Sequence, residues 1–139
     1  MQEISTGLAF LYLIRYICKM ELKDHIRELY FSDEFWGFYN KQQEKVKCKF
    51  NYVLGILRTE RVVSAKFVKH LQNTDLYEMR VSVGSNEYRT VLFAMGADNI
   101  VLSTQILVLN AFLKKSAKEY KKQIEVAEKI LGGYIHDTF

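Results

Sequence analysis

The pattern of apolar and polar residues predicts four strands. Apolar residues alternate with polar ones over Leu76–Val83 and again over residues 87–95, and a Gly-Ser-Asn turn at residues 84–86 separates the two segments. Residues 104–112 are almost wholly apolar, which is typical of a strand that is buried on both faces. Residues 25–31 have the length and composition of a shorter first strand.

Three other segments have the apolar spacing of helices. Ser32 is a typical N-cap for the first helix, and Asp33 and Glu34 suit its first turn because carboxylates stabilise the positive end of the helix dipole. Residues 116–119 (Ser-Ala-Lys-Glu) form a capping box for the last helix, which we expect to end at Gly132-Gly133. The predicted apolar stripes are Phe35, Trp36, Phe38 and Tyr39; Val46, Phe50, Val53 and Leu57; and Tyr120, Ile124, Ala127 and Leu131.

These elements predict one domain of the α+β class. Between the second helix and the hairpin, residues 58–75 have the composition of a long basic loop. The predicted order is therefore β-α-α-β-β-β-α, with a mainly antiparallel sheet packed against helices. The chain has 139 residues, of which 49% are hydrophobic and 14% aromatic, so it can build one substantial core but not comfortably two.

Charge is unevenly placed along the chain. Residues 40–122 carry 15 basic and 7 acidic side chains, whereas residues 1–39 and residues 123–139 each have a net charge of −2. A local excess of +8 favours an anionic partner such as nucleic acid, and the alternative is a solvated lysine surface. Cys18 and Cys48 are the only cysteines, so a zinc site is not expected and a reducing, cytoplasmic setting fits.

The first 19 residues differ from the rest of the chain. Their apolar run is too short to span a bilayer and is interrupted by Arg15, and it lacks the basic start and small-residue cleavage site of a signal peptide. We therefore expect no membrane segment. One hypothesis is that residues 1–19 are an extension upstream of a start at Met20, so that the domain spans residues 20–139. The alternative is an extra helix that covers part of the core.

The hairpin register places two arginines together. Because side chains alternate between faces, a turn of even length puts Glu78, Arg80 and Ser82 on the face that carries Arg89, and leaves the more apolar set on the other face. We expect Arg80 and Arg89 to emerge on a partly exposed face. They would either bind a phosphate or form a salt-bridge cluster with Glu78.

Further candidate residues are basic. The lysines after the buried strand oppose the dipole of the last helix, which favours a functional role for them. They are Lys114, Lys115, Lys118, Lys121 and Lys122. Tyr120 has the ring to stack on a base, although its place on the apolar stripe favours core packing. In the basic loop, Lys66, Lys69 and His70 are candidate RNA contacts, and His70 is either a proton acceptor or an ordinary surface residue.

The sequence resembles the RelE/ParE superfamily of bacterial type II toxins, and within it the HigB-type, phage-derived branch. The resemblance covers about residues 26–131. It rests on three segments in the order typical of that branch: LYEMRV at 76–81, EYRTVLF at 87–93 and VLNAFLKKSAKEYKKQIEVAEKIL at 108–131. It implies a RelE-like fold.

The resemblance implies a toxin that cuts mRNA in the ribosomal A site, uses the RNA 2′-hydroxyl as nucleophile and needs no metal or cofactor. Arg89 matches the phosphate-binding position of the family, Arg80 assists it, and Lys115 matches the basic position at the exit of the last strand. Tyr120 matches a C-terminal tyrosine of some relatives. Glu78 and His70 are candidates for the general base, which the resemblance does not settle. The implied partners are the ribosome, mRNA and a cognate antitoxin of helix-turn-helix type.

Two other classes of function stay open on the sequence. ParE-type members of the superfamily inhibit DNA gyrase without ribonuclease activity, and the set of Arg80, Arg89 and Lys115 is not typical of them. The second alternative is a catalytically inactive member that only binds its antitoxin. The chain has no HExxH, GxSxG, Walker or GxGxxG motif and no obvious carboxylate pair for a metal, so a nuclease of this sequence is expected to work without one.

Overall fold

The computed structural model describes residues 25–138, so the proposed extension and the start at Met20 lie outside the described residues. The strands are β1 (Glu28–Phe31), β2 (Val68–His70), β3 (Leu76–Val83), β4 (Asn86–Met95) and β5 (Gln105–Leu113), and the helices are α1 (Asp33–Tyr39), α2 (Glu44–Thr59) and α3 (Ala117–Thr138). The strands form one sheet in the order β1-β5-β4-β3-β2. Strand β1 is parallel to β5, and the other neighbours are antiparallel. The predicted α+β class with a mainly antiparallel sheet is confirmed.

Helices α1 and α2 cover one face of the sheet, called here the α2 face. Ser32 caps α1 as predicted, because its hydroxyl accepts a hydrogen bond from the backbone N–H of Phe35 at 3.1 Å. The four apolar positions predicted for α2 are all buried, and they pack against apolar residues of β3, β4 and β5. The centre of this core contains Phe35, Phe50, Leu57, Met79, Leu92 and Ile106.

Helix α3 covers the opposite face, called here the α3 face. Ala127 is fully buried there, and Tyr120, Ile124 and Leu131 pack beside it, as the predicted stripe requires. The predicted end of the helix at Gly132-Gly133 is wrong, since α3 continues to Thr138. Among the described residues, the glycines with positive φ are Gly84 and Gly96, so neither Gly132 nor Gly133 adopts the left-handed conformation that ends a helix. Glycine within a helix costs about 1 kcal/mol relative to alanine, which the continuing helix tolerates.

The segment predicted as a basic loop contains a strand. Strand β2 pairs with β3 in antiparallel register, so Lys69 lies opposite Glu78 and His70 opposite Tyr77. Val68 is its one buried residue, and three residues are too short to show an alternating pattern. The hairpin turn is also shorter than predicted, because Asn86 already pairs with Val83.

A bulge in β5 aligns the end of that strand with the hairpin. Thr90 pairs with Ala111 and Leu92 with Val108, so β5 has one residue more than β4 over this stretch. Beyond the bulge, Arg89 lies opposite Phe112. The strand exit then passes beside the hairpin, where the backbone N–H of Lys114 donates to the carbonyl of Glu87 at 2.7 Å.

Arg27 connects the end of α2 with the loop between β4 and β5 through hydrogen bonds to backbone carbonyls of both segments. Its side chain is 1% exposed, and its guanidinium donates to the carbonyls of Leu57 at 2.9 Å, Ile100 at 3.1 Å and Ser103 at 3.1 Å. It also donates to the carbonyl of Glu60, so several carbonyls near the end of α2 have a partner. Burial, and then the nearby charge of Arg61, lowers the pKa of Arg27 from its ordinary value.

Candidate active site

The α3 face carries a cluster of charged side chains on the hairpin. Arg80 and Arg89 lie directly opposite each other across β3 and β4, on the shared face that the sequence predicted. Glu78 lies beside both: its Oε1 accepts hydrogen bonds from Nε and Nη2 of Arg80 at 3.0 and 2.8 Å, and its Oε2 lies 3.7 Å from Nε of Arg89. The carboxylate offsets the repulsion between the two guanidinium groups, so the salt-bridge cluster anticipated from the sequence is present.

The expected exposure of this face is wrong for Arg89. Arg89 is 7% exposed and Glu78 is 4% exposed, because α3 lies over the hairpin and Phe112 lies beside Arg89 on β5. Arg80 is partly buried. The cluster therefore forms a charged group at the edge of a covered face, with Arg80 on its open side. Charge interactions are stronger in such surroundings than in water.

Tyr120 joins the cluster from α3. Its hydroxyl donates a hydrogen bond to Oε2 of Glu78, and its ring meets the ring of Phe112 edge-on with centroids 5.7 Å apart. Burial, followed by the hydrogen bond to Glu78, raises the pKa of Tyr120 well above its usual range. The phenol is therefore protonated at neutral pH and can donate a hydrogen bond. This contact agrees with the apolar stripe that placed Tyr120 toward the core.

Arg89 has one buried donor, its Nε–H, that makes no hydrogen bond with any described residue. Its Nη1 donates to the backbone carbonyl of Tyr88 at 3.0 Å and to Oε2 of Glu87 at 3.3 Å. Its Nε is buried and has no hydrogen-bond partner among the described residues, since Glu78 is too distant for one. A buried donor of this kind normally has a partner.

Glu87 is a site residue that the sequence interpretation missed. It lies opposite Ser82 in the hairpin, and the Ser82 hydroxyl donates to its Oε2 at 2.6 Å. The hydrogen bond from Ser82, and then the hydrogen bond and charge of Arg89, hold the pKa of Glu87 below its usual range. The signal was available, because Glu87 stands two residues before Arg89 and so shares its face.

The lysines form an exposed rim around α3. Lys114 extends over the ring of Tyr120, with its Nζ 6.0 Å from the ring centre. Lys69 lies opposite Glu78 in the sheet and so belongs to the same face. The exposed lysines of the strand exit and the start of α3 are Lys114, Lys115, Lys118, Lys121 and Lys122. Positive charge therefore lies at the strand exit and along the start of α3, the helix that carries Tyr120.

His70 and Lys66 stand apart from the cluster. His70 lies opposite Tyr77, so it belongs to the α2 face, and its ring bonds to the carbonyl of Thr74 at 2.8 Å while meeting the ring of Tyr77 at 5.0 Å. Lys66 lies before β2 over the ring of Phe67. The structure thus brings together Glu78, Arg80, Arg89 and Tyr120, and does not bring His70 to them.

Within residues 25–138, no group of three histidine, cysteine or acidic side chains is placed to hold a metal ion. No helix in that part of the chain combines the length and apolar character that crossing a membrane requires.

A family model for "Phage derived protein Gp49-like (DUF891)" matches residues 38–131. The chain belongs to the Gp49-like family. This is a family of RelE-like toxins of toxin–antitoxin systems. No curated protein and no solved structure matches the chain.

The Gp49-like region contains the whole candidate site. It begins in α1, includes the hairpin with Glu78, Arg80, Glu87 and Arg89, and ends in α3 beyond Tyr120. Membership in a toxin family agrees with a site of clustered charge and gives no role to any single residue. The roles must therefore come from the geometry.

Proposed function

We propose that the protein is the toxin of a type II toxin–antitoxin pair, of the HigB type, and that it arrests translation by cutting mRNA on the ribosome. The observation that supports this function is the pair of opposed guanidinium groups of Arg80 and Arg89. A guanidinium presents donors in a fork that matches two phosphate oxygens. Two such groups, together with the lysine rim of α3, form a site suited to a phosphodiester.

In the proposed reaction, the RNA 2′-hydroxyl attacks the adjacent phosphorus atom and the 5′-oxygen leaves. Arg89 holds the scissile phosphate and stabilises the charge that builds on its oxygens, and Arg80 assists from the open side of the cluster. Lys115 lies at the strand exit, where its ammonium group can donate a proton to the leaving oxygen. The products are a 2′,3′-cyclic phosphate and a 5′-hydroxyl, and no step requires a metal.

Glu78 and Tyr120 have supporting parts in this proposal. Both oxygens of Glu78 are already occupied, one by Arg80 and one by Tyr120, so it fixes the arginines more readily than it accepts a proton. The Tyr120 phenol holds Glu78, and we propose that its partly buried ring also stacks on a base.

The proposed partners follow from the charge. Residues 40–122 carry the positive excess of the chain, which suits the phosphates of rRNA and mRNA. A toxin of this kind is held inactive by a cognate antitoxin, and we propose one of helix-turn-helix type that covers the basic rim.

The test uses the purified protein with translating ribosomes and a defined mRNA. We expect cleavage on the ribosome and fragments that end in 5′-hydroxyl and 2′,3′-cyclic phosphate. Activity should also survive a chelator, added at a concentration that leaves enough free Mg²⁺ to keep the ribosomes assembled. Intact mRNA together with blocked DNA supercoiling by gyrase would replace this function with a ParE-like one. Intact mRNA with active gyrase would leave only antitoxin binding.

A further inference from the structure

We propose that Glu87 is the general base of the site, the group that takes the proton from the RNA 2′-hydroxyl. The inference rests on the proposed ribonuclease function. It assigns a catalytic role to a residue that neither the sequence motifs nor the family resemblance singled out.

The position of Glu87 meets the geometric requirement for a base. Its Oε2 lies 3.3 Å from Nη1 of Arg89, the group proposed to hold the scissile phosphate. The 2′-hydroxyl is attached to the ribose carbon next to the one that carries this phosphate, so a base must stand beside the phosphate-binding group. The side chain of Glu87 is 46% exposed, whereas that of Glu78 is 6% exposed. RNA can therefore reach Glu87 from solvent.

The other acid–base candidates near the cluster are less suited to the role. Glu78 accepts two hydrogen bonds from Arg80 and one from Tyr120, so a 2′-hydroxyl would have to displace one of them. His70 belongs to the α2 face, across the sheet from Arg89. Glu87 accepts from Ser82 and Arg89 through the same oxygen, Oε2, and its Oε1 is left to receive a proton.

The surroundings keep Glu87 deprotonated at neutral pH, which is the form that a general base needs. The groups that face it are the Ser82 hydroxyl on β3, the Arg89 guanidinium on β4 and the charge of Lys114 at the exit of β5. All three stabilise the carboxylate and so lower the pKa of Glu87. The same three groups keep the carboxylate in place.

The step balances in atoms and electrons. Glu87 takes the proton of the 2′-hydroxyl, the 2′-oxygen forms a bond to phosphorus, and the bond from phosphorus to the 5′-oxygen breaks. The electron pair of that bond goes to the 5′-oxygen, which takes a proton from the Lys115 ammonium. Solvent then removes the proton from Glu87 and returns one to Lys115.

The experiment measures single-turnover cleavage of ribosome-bound mRNA against pH for the wild type and three variants. Glu87→Gln keeps the size of the side chain and removes the base, so cleavage should slow about a hundred-fold or more and the rate should no longer fall at acidic pH. Glu87→Asp retains a carboxylate, so it should be slower than wild type but keep the acidic fall. The matched control is Glu125→Gln, a change of the same kind at an exposed position of α3, which should match wild type.

A fourth variant separates a base from a residue that only positions Arg89. Ser82→Ala removes the hydroxyl that stabilises the carboxylate, so the acidic fall in rate should move to higher pH. The proposal is overturned if folded Glu87→Gln cleaves at the wild-type rate, or if it slows cleavage while keeping the wild-type pH profile. Should the wild type itself leave mRNA intact, the proposed function fails first and this inference with it.

Discussion

Arg80 and Arg89 are direct cross-strand partners, and the carboxylate of Glu78 lies between them. Two like charges in this relationship repel by themselves, so the pair depends on Glu78. The structure therefore holds two guanidinium groups together on a largely covered face and leaves part of their hydrogen-bonding capacity for an anion.

The stability of the cluster should depend strongly on Glu78. Glu78→Gln removes the only carboxylate that contacts both arginines within the described residues, so Arg80 loses its ion pair and the buried Arg89 keeps only the one with Glu87. We expect the free energy of unfolding to fall by about 3 kcal/mol or more. Urea denaturation measures it. The exposed Glu125→Gln should change it by less than about 0.5 kcal/mol, and an equal effect of the two variants would show that the cluster contributes nothing.

Tyr120 should stabilise the fold through its hydroxyl. Tyr120→Phe keeps the ring contact with Phe112 and removes the hydrogen bond to Glu78, so the free energy of unfolding should fall by about 1.5–3 kcal/mol. Tyr52→Phe changes an exposed ring and is the matched control. If both variants have the same free energy of unfolding as wild type, the hydrogen bond from Tyr120 to Glu78 does not contribute to stability.

The same bond predicts a dependence on pH. The pKa of Tyr120 is raised in the folded state above its ordinary value of 10.0, so the unfolded chain loses the phenol proton first as pH rises. The stability that wild type has over Tyr120→Phe should be fully present below pH 10 and should shrink above it. Denaturation of both proteins between pH 8 and about pH 11 tests the sign. A difference that grows with pH would contradict it.

Arg27 should be needed for folding although it lies far from the site. Arg27→Met keeps a long apolar side chain but leaves carbonyls of Leu57, Ile100 and Ser103 without their donor. We expect a loss of about 3 kcal/mol or more in the free energy of unfolding, since several buried acceptors lose their partner together. Arg61→Met, at an exposed side chain, should have little effect. Similar unfolding curves for the two variants would refute this account of Arg27.

Ribosome binding should depend on the lysines of α3. Changing Lys118, Lys121 and Lys122 together to glutamine should weaken binding and reduce its dependence on salt, because fewer counterions are released. The matched control removes the same charge at Lys41, which precedes α2, and at Lys45 and Lys49 within α2, the helix on the opposite face of the sheet. If the two triple variants bind with equal affinity and equal salt dependence, the rim of α3 has no specific role.

The sequence predicted the parts of the site that depend on local periodicity. Strand side chains alternate strictly, so assuming a turn of even length was enough to place Glu78, Arg80 and Arg89 on one face, although not to pair Arg80 directly with Arg89. The same rule applied one step further would have added Glu87. The capping residue Ser32 and the apolar stripes of α2 and α3 were also correct, because they depend on neighbours within one turn of helix. In α1 the predicted stripe was wrong at Trp36, which is 40% exposed.

The parts that failed depend on contacts between distant residues. The burial of Arg89 follows from α3 packing over the hairpin, and the hydrogen bond of Tyr120 to Glu78 joins positions 42 residues apart. Strand β2 was missed because it is stabilised by pairing with β3 rather than by a pattern of its own. The end of α3 was misplaced because glycine permits a helix to stop without requiring it.

The burial of Arg89 also changes how its role must be tested. Arg89→Ala would remove a buried charge beside Glu78 and so would cost stability as well as any catalysis, by about 1–3 kcal/mol or more. Arg89→Lys keeps the charge and the apolar stem but loses the fork that can hold two phosphate oxygens. Its cooperative unfolding can be confirmed before its activity is measured.

The most direct test is therefore the rate at which folded Arg89→Lys cleaves ribosome-bound mRNA, compared with wild type in the same single-turnover assay. We expect wild type to cleave and the variant to be slower by about a hundred-fold or more, because a donor to the transition-state charge is lost. Equal rates for the two proteins would contradict the claim that Arg89 holds the scissile phosphate. Intact mRNA with the wild type would contradict the ribonuclease function itself.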